Sequence, residues 1–98
     1  MEQQQSDVKQ RTKYREPRKF VVIMHNDDET TFDFVIMVLM NMFHKTEAEA
    51  ENLALTIHKQ GQAVVGVYSL DIAKSKIGQV TVLAKEKGFP LLLTYQPE

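Results

Sequence analysis

Residues 20–43 read FVVIMHNDDETTFDFVIMVLMNMF, and this stretch decides the fold. Phe20 to Met24 is a continuous apolar, β-branched run, bounded by Pro17 before it and by the polar cluster His25 to Glu29 after it. That pattern predicts a short strand buried on both faces or nearly so. Thr30 follows at a capping position with Asp33 three residues on, the spacing of a capping box. The helix expected over 31–43 carries Phe34, Val35, Val38, Leu39, Met42 and Phe43 on one stripe, with Ile36, Met37 and Met40 outside it. A helix that is apolar on nearly every side has to cover the sheet and meet a second element as well.

The rest of the chain supplies those elements. A second helix is predicted from Thr46, with Glu49 completing another capping box, to Gly61; Ala50, Leu53, Ala54 and Ile57 recur on it at helical spacing. Ala63 to Tyr68 reads as a second strand, with Gly66 marking a bend or a close backbone approach. Ser69 is placed to cap a third helix, with Ala73, Ile77, Val80 and Ala84 on one face, that runs to about Lys87 and stops at Gly88 and Pro90. Leu91 to Tyr95 is the last strand. The expected architecture is α+β: a three-stranded antiparallel sheet packed with three helices in the order β-α-α-β-α-β.

Composition narrows the function classes. With 98 residues the chain is one domain, and its 43% hydrophobic content and absence of cysteine mean a core held without disulfides or thiolate metal sites. The net charge of −1 argues against a generic nucleic-acid binder. The start, MEQQQSDVKQ, lacks the apolar segment of a signal peptide, and the run from Phe32 to Phe43 is too short and polar to span a bilayer. The expectation is a cytoplasmic protein with no membrane and no nucleic-acid partner. Residues 1–17 form a flexible basic arm by composition, and residues 18–98 the folded domain. The first 19 residues hold six basic and three acidic side chains, a local charge of +3 that leaves the body near −4.

The candidate chemistry sits in His25-Asn26-Asp27-Asp28, at the end of the first strand. One reading is a turn, since Asn and Asp bond their own backbone; but a turn does not need three consecutive acceptor-rich residues, and together they offer acceptors suited to a cation or an amine. His58, near the end of the second helix, is placed to add a neutral ring nitrogen. A small metal-dependent enzyme using His25, Asp27 and His58 is one alternative, although no metal-binding spacing supports it. A different interaction domain presenting the Met-rich helix is another.

From Phe20 to Thr94 the chain resembles the ClpS family of protease adaptors. The resemblance is carried by Asn26-Asp27-Asp28-x-Thr30, Phe34-Val35-Ile36-x-Val38-Leu39, His58-x-Gln60-Gly61, Gly66-Val67 and Pro90-Leu91-Leu92, in the family's order and spacing. It implies a non-enzymatic, cofactor-free adaptor that binds the free N-terminus of N-degron substrates beginning with Leu, Phe, Tyr or Trp and delivers them to a ClpA-type AAA+ unfoldase. The residues matching the α-amino site are Asn26, Asp27 and His58. Those matching the hydrophobic pocket are Asp28, Thr30, Phe32, Val35, Ala54 and Leu91. Asp71 and Lys76 match positions that dock the unfoldase's N-terminal domain. Two departures stand out, since family members often carry Met where this chain has Phe32 and Ala54. Ala54 removes bulk from one wall and Phe32 adds it at another, so the expected pocket admits Ile or Val beside the usual residues. Thr31 stands where the family usually has proline.

Overall fold

The computed structural model describes residues 18–98. Its elements are β1 (Lys19–His25), α1 (Phe32–Met42), α2 (Glu47–Gln60), β2 (Gln62–Ser69), α3 (Leu70–Glu86) and β3 (Leu92–Pro97). The arm expected at residues 1–17 lies outside the described residues. The apolar run from Phe20 to Met24 lies in the central strand: β1 pairs antiparallel with both β2 and β3, in the order β2-β1-β3. The α+β fold expected from the sequence is the fold observed.

Centrality explains why β1 is apolar on both faces. Val22 and Met24 are fully buried, joined in the core by Val65 of β2 and Leu93 of β3, and α3 packs across all three strands. On the alternate positions, Val21 and Ile23 face Val67 and Val64 of β2, both exposed, while His25 pairs with Leu92 of β3. The register shifts between Val22 and Ile23, opposite Gly66 and Val64, so Val65 bulges between two paired neighbours. Gly66 leaves room there for the Tyr68 ring. A Cβ on it would collide with the Tyr68 ring, which folds back over it.

The start of α1 differs from the expected cap by one residue. Thr31 is the N-cap, accepting the Phe34 N–H at 3.2 Å, because the hydroxyl and N–H of Thr30 are both committed to Asp27. The box expected between Thr30 and Asp33 therefore does not form. The one expected on α2 does: Glu49 donates its N–H to Thr46 Oγ1 at 3.1 Å, and the Thr46 N–H reaches Glu49 Oε1 at 2.9 Å, which holds that carboxyl below its ordinary value. Gly61 closes α2 in the left-handed region, φ 93°, its N–H on Ile57 O. Ser69 precedes α3 as its N-cap but makes no side-chain capping bond.

The apolar girdle of α1 is consumed inside the fold. Phe34, Val35, Val38 and Leu39 are buried, Ile36, Met37 and Met42 pack against the same cluster, and α1 lies against both α2 and α3. Of the methionines on this helix only Met40 reaches the exposed class, so the Met-rich helix offers no broad sticky surface. Phe34 meets Phe89 edge-on at 5.0 Å, which anchors the turn before β3.

Candidate functional site

The loop between β1 and α1 is built on one carboxylate. Asp27 Oδ1 accepts the N–H groups of Glu29 and Thr30 at 2.8 and 2.7 Å, and Oδ2 accepts the Thr30 hydroxyl at 2.7 Å. Partial burial is the largest single influence on Asp27 and raises its pKa. The three hydrogen bonds together outweigh it and hold the carboxyl below its ordinary value. A carboxylate offers about four lone-pair sites. Three are filled within the turn, and the fourth, on Oδ2, remains for a ligand.

This loop is tied to the far end of α2. The Asn26 N–H donates to Gly61 O at 2.9 Å, joining residues on either side of both helices. The left-handed Gly61 makes that carbonyl available by turning the chain sharply off α2. The last turn of α2, with His58 on it, consequently stands beside the acceptor loop.

Between loop and helices lies an open cavity of about 330 Å³. Asn26, Asp27, Asp28 and Thr30 line it from the loop, Phe32 and Val35 from the first turn of α1, and Ala54, Ile57 and His58 from α2. The helical contributions fall at i, i+3 and i+4, the spacing that puts side chains on one face. The cavity has a lining of two chemically different kinds. Asn26, Asp27 and His58 contribute polar groups, and Val35, Ala54 and Ile57, all buried, contribute apolar wall together with Phe32, which is 42% exposed. Its volume is at the small end for ligand sites, fit for one side chain rather than a length of peptide.

Eight of the residues singled out from the sequence thus meet in one place, and the rest lie elsewhere. Leu91, expected in the pocket wall, is not among the lining residues; it is 7% exposed and sits in the core cluster with Val35 and Ala54. Ile57 lines the cavity and was read only as a core position. Nothing local sets it apart from other apolar residues on α2. His25 is not a lining residue either, and its Nε2 shares a hydrogen bond of 2.8 Å with Thr94 Oγ1 on β3. The trio His25, Asp27 and His58 does not converge, and among the described residues no three His, Cys, Asp or Glu side chains are grouped to hold a metal ion. Asp71 is exposed in the first turn of α3. Lys76 is half-buried on the same helix and donates to Met42 O at 2.7 Å. No helix among the described residues is long and apolar enough to cross a membrane.

Comparison with known proteins gives the family. The family model described as ATP-dependent Clp protease adaptor protein ClpS matches residues 15–94. The adapter protein ClpS of Acetivibrio thermocellus is 47% identical over 85 residues, covering 87% of this chain and 86% of that protein. The ClpS of Deinococcus radiodurans is 45% identical over 89 residues, covering 91% and 79%. Among solved structures, Agrobacterium tumefaciens ClpS2 bound to L-phenylalaninamide superposes with a TM-score of 0.81 at 41% identity, over 85% of this chain and all of that one. The chain belongs to the ClpS family, the non-enzymatic adaptors that deliver N-degron substrates to a ClpA-type unfoldase for degradation.

Proposed function

We propose that the cavity reads the first residue of a substrate, with Asn26, Asp27 and His58 receiving its α-ammonium group and Val35, Ala54, Ile57 and Phe32 enclosing its side chain. The observation that carries this reading is a single cavity of one-side-chain size lined both by Asn26, Asp27 and His58 and by apolar residues of two helices. An ammonium has three donors and no acceptor, so it matches three converging acceptors. Asp28 and Thr30 complete the rim. Ala54, small where the family often has Met, leaves the cavity room for Ile or Val beside Leu, Phe, Tyr and Trp. The likeness to a ClpS2 bound to L-phenylalaninamide, a molecule with a free α-amine and a benzyl group, supports the same reading.

Energies fit a carrier that must release its cargo. Burying one large apolar side chain contributes about 1.5–3 kcal/mol, and each hydrogen bond to a charged group about 1.5–3 kcal/mol. Association costs of at least about 4 kcal/mol leave low-micromolar or weaker binding for a single residue. The start of α3, with Asp71 and Lys76, is proposed as the face that docks the unfoldase's N-terminal domain.

The test is a pair of fluorescent peptides beginning with Phe, one with a free amine and one acetylated. Acetylation removes the charge and two donors while keeping the side chain. The free peptide is expected to bind at least about tenfold more tightly. Equal affinity refutes amine recognition.

A further inference from the structure

Lys76 is not a free surface charge. Its Nζ donates to the carbonyl of Met42, the last residue of α1, at 2.7 Å, and lies 5.8 Å from the centre of the Phe43 ring and 5.3 Å from that of Tyr68. Both distances are within the range at which a cation is attracted to an aromatic face. The last turn of α1 has no basic residue of its own, so the negative end of the helix is met by this ammonium from α3. The rings are themselves placed: Phe43 and Tyr68 lie 6.3 Å apart, Phe43 is buried, and Gly66 leaves the space into which the Tyr68 ring folds.

An ammonium has three N–H donors, and the Met42 carbonyl uses one. Two remain, on a side chain whose four-carbon stem is otherwise among the most costly to order. We propose that Tyr68 and Phe43 are positioning residues for docking. With the C-terminus of α1 they hold the Lys76 ammonium in place before a partner arrives, so that an acidic group on the unfoldase meets a charge already ordered. This inference rests on the docking role proposed for Lys76. Tyr68 need not touch the partner; it acts through Lys76.

The experiment is a double-mutant cycle on the full chain, reading affinity for the isolated unfoldase N-terminal domain. The variants are Lys76→Met, Tyr68→Leu and the double substitution, with Tyr68→Phe as the conservative control. Tyr68→Leu is expected to weaken docking roughly three- to tenfold, the affinity equivalent of one rotamer-rich side chain left to be ordered on binding. Tyr68→Phe keeps the ring and is expected to dock as the parent does. In the Lys76→Met background, Tyr68→Leu should have no further effect. Equal losses from Tyr68→Leu in both backgrounds would overturn the positioning role. If Lys76→Met itself docks unchanged, the docking assignment of Lys76 fails instead. Phe43→Leu replaces Tyr68→Leu in the same cycle if the latter does not fold. In the unmutated protein, ¹⁵N relaxation of the Lys76 ammonium supplies a readout that needs no variant: motion as free as that of the exposed Lys74 would also overturn the proposal.

Discussion

Replacing Asp27 by Asn changes the site by one charge at almost constant shape. In the parent, Oδ1 accepts two backbone N–H groups and Oδ2 accepts the Thr30 hydroxyl, leaving one acceptor position on Oδ2. Asn retains an oxygen for the two backbone donors, and the Thr30 hydroxyl can rotate to accept from the new NH₂ group. The turn therefore survives with a modest loss, about 1 kcal/mol, or a fall of roughly 4–8 °C in Tm for a domain of this size. The remaining acceptor position becomes an N–H donor pointing toward the ammonium. Losing one charge-assisted hydrogen bond costs about 1.5–3 kcal/mol, so affinity for a free-amine Phe peptide should fall roughly 10- to 150-fold. The acetylated peptide, which brings no ammonium, should be affected far less. Fluorescence anisotropy at 0.15 M salt with both peptides, together with a thermal melt, separates recognition from folding. A free-amine affinity within twofold of the parent, on a protein that melts normally, would show that the Asp27 charge does not read the amine.

Three further outcomes are expected. Thr30→Val deletes the hydroxyl that helps hold Asp27 below its ordinary pKa. A carboxyl lowered in the folded state adds stability that is complete above its unfolded value, ~3.9, and is lost as pH falls through the folded value. Urea melts should accordingly show the variant less stable by about 0.5–1 kcal/mol at pH 6–7, with the difference closing as pH falls below the unfolded value; a gap independent of pH would sink this account. Ala54→Met should fill apolar space in the cavity and weaken peptides beginning with Ile or Val at least about fivefold more than those beginning with Phe, measured across a panel varied only at residue one. His44→Gly relieves the one non-glycine positive φ among the described residues, 59°, and should raise stability by about 0.5–1 kcal/mol in chemical denaturation; no gain would mean that His44 is held there by contacts of its own.

What could be read from the sequence was local. α2 was legible at both ends because its capping box and its glycine stop each lie within a few residues. β1 was legible because a central strand is apolar on both faces. The start of α1 was misread by one residue because Thr30 and Thr31 are equally able to cap. The choice is made by Asp27, which engages Thr30 and leaves Thr31 free. The polar half of the site was visible as an excess of acceptors in one loop, whereas its convergence with His58 depends on the Asn26–Gly61 bond across 35 residues of chain. Ile57 was hidden because a cavity wall and a core position share the same residue types. The resemblance singled out Lys76, but its anchoring was hidden: the partner carbonyl is 34 residues away and belongs to the backbone, which no side-chain pattern reports.

The turn held by Asp27 closes on itself between residues 27 and 30, whereas the cavity's apolar walls belong to two helices. On the proposed reading, two of the three acceptors for the amine, Asn26 and Asp27, belong to this loop, while the third, His58, shares a face of α2 with Ala54. A substitution at Phe32, on α1, alters the wall for the side chain without touching either the turn or His58, whereas one at Ala54 also adjoins His58. If the proposed reading holds, domains differing only at Phe32 would sort peptides by their first residue while keeping the same demand for a free amine.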